Sequence, residues 1–186
     1  MAISNVSICN KALYLLGEDE IALLTDAVKP ARVCNVLFEP VRDALLRQFP
    51  WNFAVKRAAL SQSTSSPAFG FDYEYQLPAD CLRVLEVQDS RISWKVEGRK
   101  LITNSDTISI RYIARITDPT QYDSQFVDLL SARLASELAI PLTDSNTRFQ
   151  EMQALYQTRL KAARSSDAQE GTPDMLDATA WTDARR

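Results

Sequence analysis

Histidine is absent from the chain, and glycine occurs only four times among its 186 residues. Without an imidazole, Ser-His and Cys-His nucleophile systems and most zinc-hydrolase ligand sets are excluded. With so few glycines, no glycine-rich loop is available to cradle a phosphate. Cysteine is scarce and odd in number. Cys9, Cys34 and Cys81 each fall in an apolar pattern with no C-x-x-C spacing, so neither a disulfide framework nor a zinc site is indicated. Long apolar runs are also missing. Nothing approaches a membrane span and nothing at the start reads as a signal peptide, so the expectation is a chain made in the cytoplasm with no membrane contact. An excess of positive charge is lacking too: 21 basic against 24 acidic residues give a formal net charge of −3. Releasing counterions from nucleic acid needs clustered Lys and Arg, and here they are scattered, so sequence-specific nucleic-acid binding is not expected.

What the chain does have is apolar content. At 46% hydrophobic it can bury one sizeable core without help from a cofactor. The stretch Arg47-Gln48-Phe49-Pro50-Trp51-Asn52-Phe53-Ala54 divides two kinds of pattern, helical before it and alternating after it. Pro50 has no N–H to donate and pushes Phe49 out of the helical region, so a helix ends there. Phe49, Trp51 and Phe53 alternate and would share one face of an extended chain. Together with Pro50 they form a structural joint between helices and sheet.

In the helical part, Ser4 is an N-cap, Val6, Cys9, Leu13 and Leu16 make one stripe, and Gly17 supplies a left-handed stop. A second helix starts near Pro30 with Cys34, Leu37, Phe38, Val41 and Leu45 on one face. Pro40 inside it predicts a kink near Leu37 or a division into two helices. Arg42, Asp43 and Arg47 lie off the stripe, as solvated or intersubunit residues.

Past the joint, Phe53, Val55 and Ala59 suggest a strand. Residues 61–70 open with a Ser- and Thr-rich run that has little to bury, which reads as a mobile loop or as an arm reaching a neighbouring subunit. Tyr73 and Tyr75, Leu82 to Val87, Trp94 and Val96, Lys100 to Thr103 and Ile108 to Ile116 give further strands, with a tight turn at Gly98-Arg99. The economical topology is one antiparallel meander. Helical period then returns: Phe126, Leu130, Leu134 and Leu138 form a third helix broken by Pro141, with Arg133 and Glu137 paired on its outside. Asp144 or Ser145 caps a fourth, whose stripe is Phe149, Met152, Tyr156, Leu160 and Ala163, with Arg159, Lys161 and Arg164 placed towards its C-terminus.

The expected fold is therefore α+β: a four-helix bundle with a small antiparallel β-meander inserted between helices 2 and 3, and an extended C-terminal tail. Helices 1 and 2 occupy residues 1–50, the β subdomain 51–117, helices 3 and 4 118–164, and the tail 165–186. The tail is acidic, and Met175, Leu176 and Trp181 are its only large apolar residues, so they are its candidate docking anchors. For chemistry without histidine, a carboxylate pair of the glycosidase kind could draw on Glu18, Asp26, Glu74 and Asp80, yet no spacing joins any two of them. A generic helical interaction module is the other alternative.

The joint phrase, together with Leu77-Pro78-Ala79-Asp80-Cys81-Leu82-Arg83 and the opening Ala12-Leu13 and Leu16-Gly17-Glu18, resembles the tail tubular protein A family, the head-to-tail adaptors of short-tailed bacteriophages. The likeness runs to about the middle of the last helix and rests on short motifs. It implies a structural virion protein without catalytic residues, cofactor or metal. It also implies a dodecameric ring between the portal protein and the tail nozzle protein, with DNA passing through its lumen unbound. Such a chain would be monomeric when free, be assembled in the host cytoplasm, and use Met175, Leu176 and Trp181 to dock on the portal. An acidic chain with dispersed basic residues suits a conduit that must not retain DNA.

Overall fold

The computed structural model describes residues 3–170. Met175, Leu176 and Trp181, the candidate docking anchors, lie outside them. Four α-helices flank two small antiparallel sheets: α1 (Asn5–Leu16), α2 (Lys29–Gln48), β1 (Val55–Ala59), β2 (Tyr73–Gln76), β3 (Cys81–Val87), β4 (Trp94–Glu97), β5 (Lys100–Thr103), β6 (Ser109–Ala114), α3 (Ser124–Thr143) and α4 (Asn146–Gln169).

Helix α1 begins and ends as its sequence dictates. The Ser4 hydroxyl accepts the Ser7 N–H at 3.0 Å while the Ser4 N–H donates to the Ser7 hydroxyl at 2.9 Å, a reciprocal cap. At the other end Gly17 has φ 78°, and the N–H groups of Gly17 and Glu18 donate to the carbonyls of Tyr14 and Leu13. That is a Schellman closure. Helix α2 opens with Pro30 in its first turn and runs through Pro40 as one element, so of the kink or the division that Pro40 suggests, the division does not occur. The carbonyl that Pro40 leaves without an N–H belongs to Val36, which is 69% exposed, so water can serve it.

Helix α3 is the centre of the helical half. Phe126, Leu129, Leu130, Leu134, Ala135 and Leu138 are fully buried, and α1, α2 and α4 all pack on it. Its buried Ser131 and Ser136 hydroxyls donate back to the carbonyls of Val127 and Arg133, both at 2.8 Å. Pro141 does not break the helix, which continues to Thr143 and closes on Asp144 at φ 50°. So near the end, the proline removes a bond only to Glu137, and Pro141 itself is exposed. Ser145 then caps α4 through the Arg148 N–H at 3.3 Å. Helix α4 reaches Gln169, so residues 165–169, expected in the tail, are helical.

The expected single meander is two sheets, ordered β1-β6-β3 and β2-β5-β4, with every pairing antiparallel. Alternation marks a segment as a strand but does not choose its partner, and here β6 takes β1 and β3 across long sequence separations. Ile110, Tyr112, Ile113 and Ala114 of β6 are all buried, as befits a central strand. Two register shifts along β3 account for its poor alternation. In the other sheet β4 and β5 form a hairpin across Gly98-Arg99, and Gly98 has φ 60°. The segment 61–70 is tied at its start, where the Ser63 N–H donates to the Glu74 carbonyl at 2.7 Å, and farther on Phe69 stands 88% exposed.

Candidate functional site

The joint after α2 is where helices and sheet are locked together. Pro50 ends the helix, and Asn52–Ala54 makes a turn of 3-10 helix before β1, so Phe53 is not in a strand as the alternation suggested. The last four carbonyls of a helix have no partner within it. That of Leu45 is satisfied by the indole N–H of Trp51, which donates to it at 3.1 Å while the ring is 2% exposed. Trp51 is thus both a core residue and a helix cap.

Trp51 and Phe53 converge on one ring, Phe126 in the first turn of α3. Trp51 meets Phe126 edge-on with centroids 5.3 Å apart, Phe53 meets it at 5.0 Å, and Tyr122 at 5.3 Å. Phe49 joins the cluster through Trp51, whose ring it meets edge-on at 5.0 Å. Each edge-to-face pair contributes roughly 0.5–1.5 kcal/mol beyond area burial. The Tyr122 hydroxyl donates to the Ile116 carbonyl at 2.8 Å, and its pKa is pushed up to about 12, chiefly by burial.

Helix α4 closes over this cluster. The Arg164 guanidinium lies 4.8 Å from the Phe49 ring centroid, and Asp167 accepts the Asn52 N–H at 2.9 Å. The Asn52 side-chain amide also donates to the Asp167 main-chain carbonyl at 2.7 Å. Burial raises the Asp167 carboxyl above its ordinary value, partly opposed by the Asn52 N–H. No local signal marks this pair, because its members are 115 residues apart. It also revises the charge reading of α4: the last turn carries no basic residue. Arg159 and Arg164 serve tertiary contacts instead, Arg159 donating to the Asp128 carbonyl at 2.9 Å.

A polar layer ties α2 to the sheet. Arg42, expected off the core, is 3% exposed and bonds Asp43 at 2.9 Å, and Asp43 also pairs with Arg115 beyond β6 at 2.7 Å. Arg47 is exposed and donates to the Leu82 carbonyl in β3. Asp80 accepts from Lys56 at 3.1 Å and from the Tyr112 hydroxyl at 3.2 Å. The Tyr112 pKa is pushed up to about 12, first by burial and then by the Asp80 charge.

The carboxylates named for a glycosidase pair occupy separate settings. Asp26 accepts the N–H groups of Ala22 and Leu23, Glu18 follows the α1 stop, and Asp80 sits before β3. Glu74 in β2 pairs with Lys100 at 2.6 Å, which holds its carboxyl below the ordinary range, opposite to the shift a general acid needs. Cys9 and Cys34 are free, fully buried thiols, and the hydrogen bond between them, with burial, pushes the pKa of Cys9 up. Among the described residues no three His, Cys, Asp or Glu side chains are grouped to hold a metal ion.

No protein-family model matches this chain, and no curated protein matches it.

Proposed function

We propose that the chain is a head-to-tail adaptor of a short-tailed bacteriophage, forming a dodecameric ring between portal and tail nozzle and extending the DNA channel. What supports the reading is where its three resembling motifs lie. Leu16-Gly17-Glu18 is the closure of α1, Arg47 to Ala54 is the helix-to-sheet joint, and Leu77 to Arg83 leads into β3. The last two touch directly, through the bond from Arg47 to the Leu82 carbonyl. Two of the three motifs that carry the resemblance are thus in contact, at the passage from helix to sheet.

A head-to-tail contact that closes on itself is the symmetry such a ring requires. The exposed apolar residues Tyr14 on α1, Val36 on α2 and Phe69 in the 61–70 loop are candidates for it, and loop 61–70 is the arm that reaches the neighbouring subunit. Self-association is weak until the portal raises the effective concentration of subunits on one template. The C-terminal segment supplies a portal contact through Met175, Leu176 and Trp181. Co-sedimentation with the portal of the same phage tests the reading: the chain should pellet with portal, and a chain that stays in the supernatant would remove the adaptor assignment.

A further inference from the structure

Between the two sheets lies a cleft of about 340 Å³ that none of the preceding roles uses. One wall is β3 and the other is β4, and each is an edge strand of its own sheet. Leu82, Val84, Trp94 and Val96 give the cleft apolar walls, and Arg47, Arg83 and Arg99 surround them. Arg47 and Arg99 donate to main-chain carbonyls, Arg99 to that of Pro78 at 2.6 Å, which leaves their charge uncompensated. None of the three arginines is ion-paired among the described residues; the acid beside the cleft, Asp80, is engaged with Lys56. An apolar slot with an unpaired basic rim fits an extended segment carrying apolar residues between acids.

The sequence beyond Glu170 contains such a segment, Asp174-Met175-Leu176-Asp177. Helix α4 delivers the chain close by, because Asp167 is bonded to Asn52 just ahead of β1. The first residue of β1 and the first residue of β3 flank the last residues of β6, at one end of the same sheet. Strands β1 and β3 are about 10 Å apart, and the six residues from 171 to 176 can span about 20 Å. We propose that this cleft is the docking site for the chain's own C-terminal segment, with Met175 and Leu176 against its apolar walls and Asp174 and Asp177 on its arginine rim. In the adaptor reading the contact keeps the portal anchors in reserve on the free subunit, but it does not depend on that reading.

The test uses the full chain with the photoreactive residue p-benzoylphenylalanine in place of Leu176, irradiated at low micromolar concentration and mapped by mass spectrometry. Cross-links within one chain to Leu82–Val84 or Trp94–Val96 are expected. They should fall at least five-fold in the Asp174→Lys, Asp177→Lys background and recover when Arg83→Glu and Arg99→Glu are added. If the arginine variants fail to fold, the tail variants, which leave residues 3–170 unchanged, still decide the matter. Cross-links elsewhere in the chain, only between copies, or unaffected by the lysine substitutions would overturn the proposal.

Discussion

The indole of Trp51 caps the helix that precedes it, donating to the Leu45 carbonyl at 3.1 Å from within the aromatic cluster around Phe126. One side chain therefore ends α2, fills the core and fixes the direction in which the chain enters the sheet.

Trp51→Ala should destabilise the fold by roughly 3–5 kcal/mol in chemical denaturation, as expected for removing a large buried ring. Trp51→Phe keeps most of the ring but leaves the Leu45 carbonyl without its donor, and should cost roughly 1–3 kcal/mol. A Trp51→Ala variant that melts like the parent would move Trp51 from the core to an interface.

Asp167 and Asn52 give a prediction with a definite pH sign. The Asp167 carboxyl is raised in the folded chain, mainly by burial, so at a pH above its folded value the carboxylate opposes folding. Between the unfolded and the folded value the folded state binds more protons than the unfolded one, so this group's contribution to stability grows as pH falls through the folded value and is complete below the unfolded value. Asp167→Asn keeps an oxygen for the Asn52 N–H and removes the titration. The parent should therefore gain stability relative to Asp167→Asn as pH falls from 7 towards 4. A constant difference between the two across that range would show that Asp167 does not titrate as described.

The buried guanidinium of Arg42 bonds Asp43, which keeps Arg115 as a second partner. Removing one arginine thus does not strand a lone charge. Arg42→Ala should cost roughly 1–3 kcal/mol in urea unfolding, below the larger penalty of a fully uncompensated carboxylate. A loss beyond that range would mean that Arg115 does not compensate Asp43.

How far the sequence reveals this fold depends on the range of each interaction. The stripe of Phe126, Leu130, Leu134 and Leu138, the cap at Ser4, the stop at Gly17 and the turn at Gly98 are local patterns, and each lies where its spacing places it. The division into two sheets is not legible, because β6 chooses β1 and β3 through distant packing. Pro40 and Pro141 read as breaks, yet both sit on exposed helix faces where their losses are small. The three joint aromatics were visible as neighbours, but Tyr122, Phe126, Asn52 and Asp167 enter the site only through tertiary contact. Arg42 reads as solvated or intersubunit for a similar reason: a charge off an apolar stripe carries no local sign of burial, and its 3% exposure is set by tertiary packing.

Truncation after Glu170 leaves the Asp167 to Asn52 bonds in place and removes Met175, Leu176 and Trp181. Affinity for the portal should fall by at least ten-fold in surface plasmon resonance, and Trp181→Ala alone should reproduce part of the loss. Unchanged affinity would assign portal binding to the helices.

The most direct test of the adaptor assignment is electron microscopy of the purified chain with and without its portal. The account predicts single subunits alone and, once portal is added, a twelve-fold ring seated on one end of it. A portal that remains bare in the presence of excess chain would contradict it.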